Sequence, residues 1–423
     1  MKILLKSCTI IDPTKMYAGT HDLLIQDGLI VKIDKTIDDY ADHVIKQENL
    51  HVSAGWFDAK VNFCDPGNEV KEDLFSGLKA AEAGGMTAVA LTPNTQPTVS
   101  NKSQLEYLKM RGAFSPVDIY PYATLTADMK GENLSEMYDL SQAGAIGFTD
   151  FHNHVSGGIM YRALLYAKNF DGHIVSFPLD HSIFGKGYVH EGRASVLTGL
   201  KSIPALAESM TIERDLNLVR YTEGKLHFTG LSTKEGVELI RKAKHEGLKV
   251  TSDVYVQNLV FTEERVMGFD ASFKLLPPLR EESDRIALIN GLKDGTIDFV
   301  CSDHTPEDIE NKEVEFDQAA FGMIGVQSLF PLLNKVTELS LAEKINLISE
   351  KPRLVFGIKS NSIAENEYAN LTLFDPSCDV NYDAMDSHSK STNTPLHGMQ
   401  LKGKVYGLIN NGILSLQDAS GNE

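Results

Sequence analysis

The sequence predicts an α/β fold centred on a (β/α)8 barrel, and three observations carry that expectation. Between about residues 54 and 364, short apolar runs of strand length alternate with helical patterns at barrel spacing. Residues 1–53 and 365–423 are instead rich in strand and turn patterns without helical period. A chain of 423 residues, 42% hydrophobic and 23% charged, is long enough for one large barrel plus a smaller module.

The N-terminal end alternates apolar and polar residues in Lys2-Ile3-Leu4-Leu5, then in Asp22-Leu23-Leu24-Ile25 and Leu29-Ile30-Val31-Lys32-Ile33 on either side of Asp27-Gly28. Asp-Gly between two strand-like runs predicts a tight hairpin. Residues 52–95 read as a strand, a polar loop, an amphipathic helix and a second buried strand that ends in Pro93-Asn94-Thr95, one βα unit with its loops attached. Further strands are expected at 87–91, 118–123, 145–148, 174–177, 226–229, 249–251 and 299–302. Residues 232–247 read as a helix, with Ser232 as N-cap, Glu235 completing a capping box and Gly247 as the stop. In such a barrel the functional side chains stand just after the strands' C-terminal ends. Residues 369–375 and 403–412 return to strand and turn, and 310–317 and 376–394 are polar coil.

A net charge of −18 repels phosphate backbones and anionic lipid, so neither nucleic acid nor a membrane is an expected partner. Cys8, Cys64, Cys301 and Cys378 are scattered, without Cys-x-x-Cys spacing, which suggests a reducing compartment. The N-terminus has no sustained apolar run followed by small residues, and no stretch approaches a membrane span. A cytoplasmic location is expected.

The run Lys60-Val61-Asn62-Phe63-Cys64-Asp65-Pro66-Gly67 is followed by Lys71-Glu72-Asp73, Ala83-Gly84-Gly85 and Thr92-Pro93-Asn94-Thr95. Later come Gly144-Ala145-Ile146-Gly147-Phe148-Thr149-Asp150, Pro277-Pro278-Leu279-Arg280, Ser302-Asp303-His304-Thr305-Pro306-Glu307 and Phe321-Gly322-Met323-Ile324-Gly325. This frame resembles that of the dihydroorotases, cyclic amidohydrolases of pyrimidine biosynthesis, over nearly the full chain. The resemblance implies a TIM-type barrel of the amidohydrolase kind over 54–364, and a small β-sandwich built from both chain ends, 1–53 plus 365–423.

Members of that family hold two divalent metals, because a metal lowers the pKa of water from 15.7 to about 7 and polarises the amide carbonyl. By the resemblance, Lys60, Asn62, Phe177 and Gly230 stand where the family keeps histidine ligands. Asp150 and Asp303 match retained carboxylates, Asp303 being the proton-shuttling one and here vestigial. His227 survives but matches a histidine that is not a ligand. Of the substrate contacts Asn94 is kept, whereas Cys64 replaces an arginine, Leu276 an asparagine and Glu307 a histidine; His304 lies beside them. Two carboxylates facing each other in a cavity need a cation. Lys60 is therefore expected to pair with both Asp150 and Asp303 in the metal's place, although a solvated loop lysine is the plainer reading. At about 4 Å, with an effective dielectric near 20, it would repel a returning divalent ion by on the order of 8 kcal/mol before screening.

No cofactor is therefore expected at the family site. The leading expectation is a dihydroorotase-like protein without catalysis, acting as a non-catalytic partner of aspartate transcarbamoylase, and a homodimer as relatives commonly are. An alternative is an active cyclic amidohydrolase with a rearranged mononuclear zinc site built from His152, His154, Asp150 and Asp303; the same His-x-His pair also reads as a solvated turn before Ser156-Gly157-Gly158. A third reading is a small-molecule sensor that binds its ligand near Asn94, Lys60 and Glu307. His173, His181 and His190 have no ligand spacing and read as structural or exposed.

Overall fold

The computed structural model describes residues 1–417 apart from 14, 16, 360 and 361, so residues 418–423 of the expected C-terminal module lie outside the described residues. The chain opens with β1 (Lys2–Ile11), β2 (Thr20–Gln26), β3 (Leu29–Asp34), β4 (His43–Ile45) and β5 (His51–Ala54). β2 and β3 form the expected hairpin, and its turn residues Asp27 and Gly28 take φ of 52° and 81°. Those left-handed values match the twist of a two-residue hairpin.

The barrel strands are β6 (Trp56–Val61), β7 (Met86–Leu91), β8 (Asp118–Pro121) and β9 (Ile174–Ser176). After a short ribbon of β10 (Val189–His190) and β11 (Ser202–Ile203) come β12 (Leu226–Phe228), β13 (Val250–Tyr255) and β14 (Phe299–Cys301). They pair in parallel as two arcs, β6-β7-β8 and β9-β12-β13-β14. Phe148 joins the arcs by bridging Ala123 and Ile174, and a Val61–His304 bridge closes the ring. The strand expected at 145–148 is thus reduced to a single bridging point. Gly144 (φ +103°) and Gly147 interrupt the pleat, and a side chain at 147 would press on the Tyr122 ring and the His173 carbonyl. β13, by contrast, runs on past the expected 249–251 to Tyr255.

β15 (Leu371–Asn381), β16 (Gln400–Asn410) and β17 (Ile413–Leu416) bring the chain back to its beginning. β15 pairs antiparallel with β5, Leu371 opposite Ala54, so both ends share one eight-stranded sheet of order β17-β16-β15-β5-β1-β2-β3, with β4 beside β1. Ile3, Leu5, Leu23, Val52, Leu371 and Ile409 form a core of this module separate from that of the barrel. Trp56 locks the two together, packing on Phe330 at 4.7 Å and Phe374 at 5.2 Å. Such aromatic contacts add about 0.5–1.5 kcal/mol each beyond area burial.

The helix expected at 232–247 runs over Lys234–His245, and its N-cap is Thr233, not Ser232. Ser232 is drawn off by a neighbouring helix: its N–H and hydroxyl both donate to the buried carboxylate of Glu208, which also takes the Thr233 N–H. Gly247 follows the helix at φ +81°, as expected of a stop.

Candidate functional site

The strand ends converge on Lys60, which is only 6% exposed. Its ammonium lies 3.1 Å from Asp303 Oδ1 and 3.2 Å from His152 Nε2, and it donates to the Tyr255 hydroxyl. Three aromatic faces surround the charge, Tyr255 at 4.4 Å, Phe151 at 5.1 Å and Phe177 at 5.2 Å from the ring centres. A desolvated cation gains about 2 kcal/mol from such a face. Burial, and then the Lys60 charge, hold the His152 imidazole well below its ordinary pKa, so the neutral ring accepts from the ammonium. Asp303 follows β14 in the left-handed region at φ 51°. Burial pushes its carboxyl up to about 6 against the opposing pull of Lys60.

Asp150 does not share this cation. Its Oδ1 accepts the Leu125 and Thr126 N–H groups, each at 2.9 Å, and Oδ2 takes the Thr126 hydroxyl. The expectation that Lys60 pairs with both carboxylates therefore holds for Asp303 alone, because donors from the loop after β8 hold Asp150 away.

Phe177 and Gly230 complete the exchange. Phe177 offers Lys60 a ring face where the family resemblance places a nitrogen ligand. Gly230 sits at φ +72°, and a Cβ there would lie 2.6 Å from Tyr255 Cζ, so the tyrosine ring occupies the room a side chain at 230 would need. Tyr255 was invisible as a site residue in the sequence because β13 reads as a shorter apolar run. Asp58 was missed as well. It is fully buried, its Oδ1 accepts from the Lys60 N–H at 3.3 Å and the Ser302 N–H at 3.2 Å, and its Oδ2 has no hydrogen-bond partner among the described residues. Burial pushes its carboxyl up to about 7, with the Ser302 hydrogen bonds opposing. His227 serves the wall, bonded to Asp253 at 2.9 Å and stacked on Phe299.

Over this cage opens a cavity of about 160 Å³. Asn62, Cys64, Asn94, Leu276, Asp303 and Glu307 line it together with His152, while Lys60 lines a smaller neighbouring space with Tyr122 and Thr229. Asn62 Oδ1 accepts the Cys64 N–H at 2.9 Å, and burial pushes the Cys64 thiol up to about 12. Glu307 pairs with Lys71 at 2.6 Å. Lys71, Asn68 and Phe321 also reach the cavity; Lys71 and Phe321 belong to the motifs of the frame without a site role of their own, and Asn68 lies between two of them.

His304 belongs elsewhere. Its Nδ1 accepts the Gly325 N–H at 3.0 Å and its Nε2 lies 3.5 Å from Glu72, so it braces the frame outside the cavity instead of lining it. His152 and His154 also part. His152 stacks on Phe151 at 3.8 Å and faces the Lys60 cavity, while His154 lines a second, small cavity beside Asp150 and Arg214. The mononuclear alternative is therefore not assembled. Among the described residues no group of three or more His, Cys, Asp or Glu side chains is placed to hold a metal ion.

The residues present do not fit the binuclear centre that the family resemblance implies. A protonated lysine has no lone pair, phenylalanine has no donor atom, the Asn62 oxygen already accepts a backbone N–H, and the space beside Gly230 is filled. No step through a metal follows from this set.

Comparison with known proteins agrees with the frame. Residues 51–236 match the family model described as dihydro-orotase-like, and residues 196–414 match the amidohydrolase family. The chain is 36% identical to a dihydroorotase of Pelotomaculum thermopropionicum over 99% of both chains. It is 37% identical to one of Ruminiclostridium cellulolyticum over 96% of both, and 38% identical to one of Carboxydothermus hydrogenoformans over 94% of both. Among solved structures it resembles the L-hydantoinase of Arthrobacter aurescens, with a TM-score of 0.85 at 23% identity over 98% of this chain and 96% of that one. A dihydropyrimidinase of Brevibacillus agri gives a TM-score of 0.84 at 20% identity over 99% and 95%. These neighbours share the fold, an amidohydrolase TIM barrel with a β-sandwich. With its sequence alike from end to end and its barrel frame in place, the chain belongs to the dihydroorotase family of amidohydrolases.

Proposed function

We propose that this dihydroorotase homologue acts in pyrimidine biosynthesis without catalysis, as a cytoplasmic homodimer that associates with aspartate transcarbamoylase. One observation carries the reading: the Lys60 ammonium, bonded to Asp303, Tyr255 and His152, fills the centre that hydrolysis of a ring amide requires for an activated water. Of the groups that face the cavity, Asp303 is paired with Lys60 and the His152 nitrogen is engaged, while the near-neutral carboxyl of Asp58 is fully buried. The partner role is supported by large apolar side chains left exposed, Phe75 at 70% and Met110 at 74% on adjoining helices and Phe114 at 93% in the turn that follows the second.

The test is an assay of the purified chain on dihydroorotate with Zn²⁺ or Mn²⁺ added, beside elemental analysis and co-purification with the transcarbamoylase. The expected result is no turnover, substoichiometric metal and a stable complex of the two proteins. Stoichiometric zinc with turnover abolished by Asp303→Asn would establish the active-enzyme reading instead.

A further inference from the structure

The cavity above Lys60 keeps hydrogen-bonding edges and flat apolar walls, and three carboxamides stand in its lining beside charged groups that are paired with one another. Asn62 spends its Oδ1 on the Cys64 N–H, which leaves its amide N–H groups facing the cavity. Asn94 reaches the same space, and its Oδ1 is buried without a hydrogen-bond partner among the described residues. A buried amide oxygen in that state is completed by an N–H donor. Asn68 adds a third carboxamide at the rim, and Leu276 and Phe321 supply apolar walls.

The charges of the cavity are matched within the protein. Asp303 is paired with Lys60 at 3.1 Å, and Glu307 with Lys71 at 2.6 Å. Lys71 is the one ammonium among the described lining residues, and Cys64 stands where the family resemblance places an arginine. A carboxylate entering this space would lose its hydration and find no unpaired cation. A neutral molecule with an N–H beside a C=O would meet both an orphan acceptor and free amide donors.

We propose that this cavity binds a small uncharged carboxamide or urea-type molecule without transforming it, and discriminates against the carboxylate-bearing analogue of the same molecule. The inference rests on the non-catalytic reading above, and it names the class of ligand that reading leaves the cavity to hold. The charge balance at Lys71–Glu307, together with the loss of a cation at position 64, sets the preference. The Asn94 oxygen sets the demand for an N–H donor.

Dihydrouracil and dihydroorotate make a matched pair, since they differ only by the carboxylate. Titration calorimetry of the full chain, without added metal, should show dihydrouracil binding at least about ten-fold more tightly than dihydroorotate. Asn94→Leu should weaken dihydrouracil by about ten-fold, the size expected when one buried hydrogen bond is lost, with an unchanged melting temperature. Cys64→Arg should move the preference toward dihydroorotate, a gain that damaged folding cannot mimic. Equal or tighter binding of dihydroorotate by the unaltered chain, or no heat with either compound, would overturn the proposal. The same samples are followed for ring-opened product: turnover of dihydroorotate would sink the non-catalytic reading and this inference together, while absence of binding without turnover sinks this inference alone.

Discussion

Asp303 and His304 follow the same strand, yet the carboxylate of the first turns into the barrel and the ring of the second turns out toward the frame. On the outer side, Glu72 faces His304 at 3.5 Å and also accepts from the Ser76 and Ser389 hydroxyls and the Lys390 N–H. Burial alone would raise the Glu72 carboxyl, but His304 and the two serines outweigh it and hold the group below its ordinary pKa. On the inner side, Asp303 has Lys60 as its ion-pair partner, and burial wins, pushing its carboxyl up to about 6. The outer knot is densely bonded around Glu72. The inner pair is a single cation set against a sparsely bonded acid, so the interior is where this barrel is least forgiving.

The sharpest way to break that contrast is Lys60→Met. It leaves Asp303 buried and unpaired, and should cost about 3–5 kcal/mol in chemical denaturation. Asp303→Asn in the same background should recover most of the loss, because the charge that needed the cation is gone. A Lys60→Met chain as stable as the original would show that the inner pair holds nothing together.

The next effect is one of pH. Asp58 and Asp303 are acids whose folded pKa values, about 7 and about 6, lie above the usual 3.8, so the folded chain holds protons that the unfolded chain releases. Their contribution to stability is greatest below about pH 4 and is lost as pH rises through 6 and then 7. Asp58→Asn removes one share of that slope. The variant should lose less stability than the parent between pH 5 and pH 8, by up to about 3 kcal/mol, in urea melts at the two pH values. Parallel pH profiles would mean that Asp58 ionises as freely folded as unfolded.

Smaller still is the cost expected of Gly230→Ala, about 2 kcal/mol, from the left-handed backbone and the crowding against Tyr255. In a Tyr255→Leu background the same change should cost less, which separates the crowding from the backbone term by thermal melts.

Much of the fold was legible because its signals are local. Asp27-Gly28 announced a hairpin whose geometry only such residues adopt readily, and Gly247 announced a helix end. Signals failed where a distant group competed for a local one. Ser232 looked like a cap until Glu208, on another helix, claimed its donors. Asp150 looked free to meet Lys60 until Leu125 and Thr126 bonded it. At the site, the lining residues Asn62, Cys64, Asn94, Leu276 and Glu307 were readable from motif position, since motif position fixes which strand end a residue follows. Tyr255 and Asp58 were not, because their roles depend on which neighbours the closed ring brings to them, and His304 was misplaced for the same reason.

The meeting of Gly230 with Tyr255 has a consequence for any substitution in this part of the barrel. A side chain placed at position 230 collides with the tyrosine, and a smaller residue at 255 takes away the hydroxyl and the ring face that shelter the lysine charge. Each change is thus penalised until the other has been made, so any side chain at 230 is reached only through less stable intermediates, and the two positions act as an interlock around the lysine.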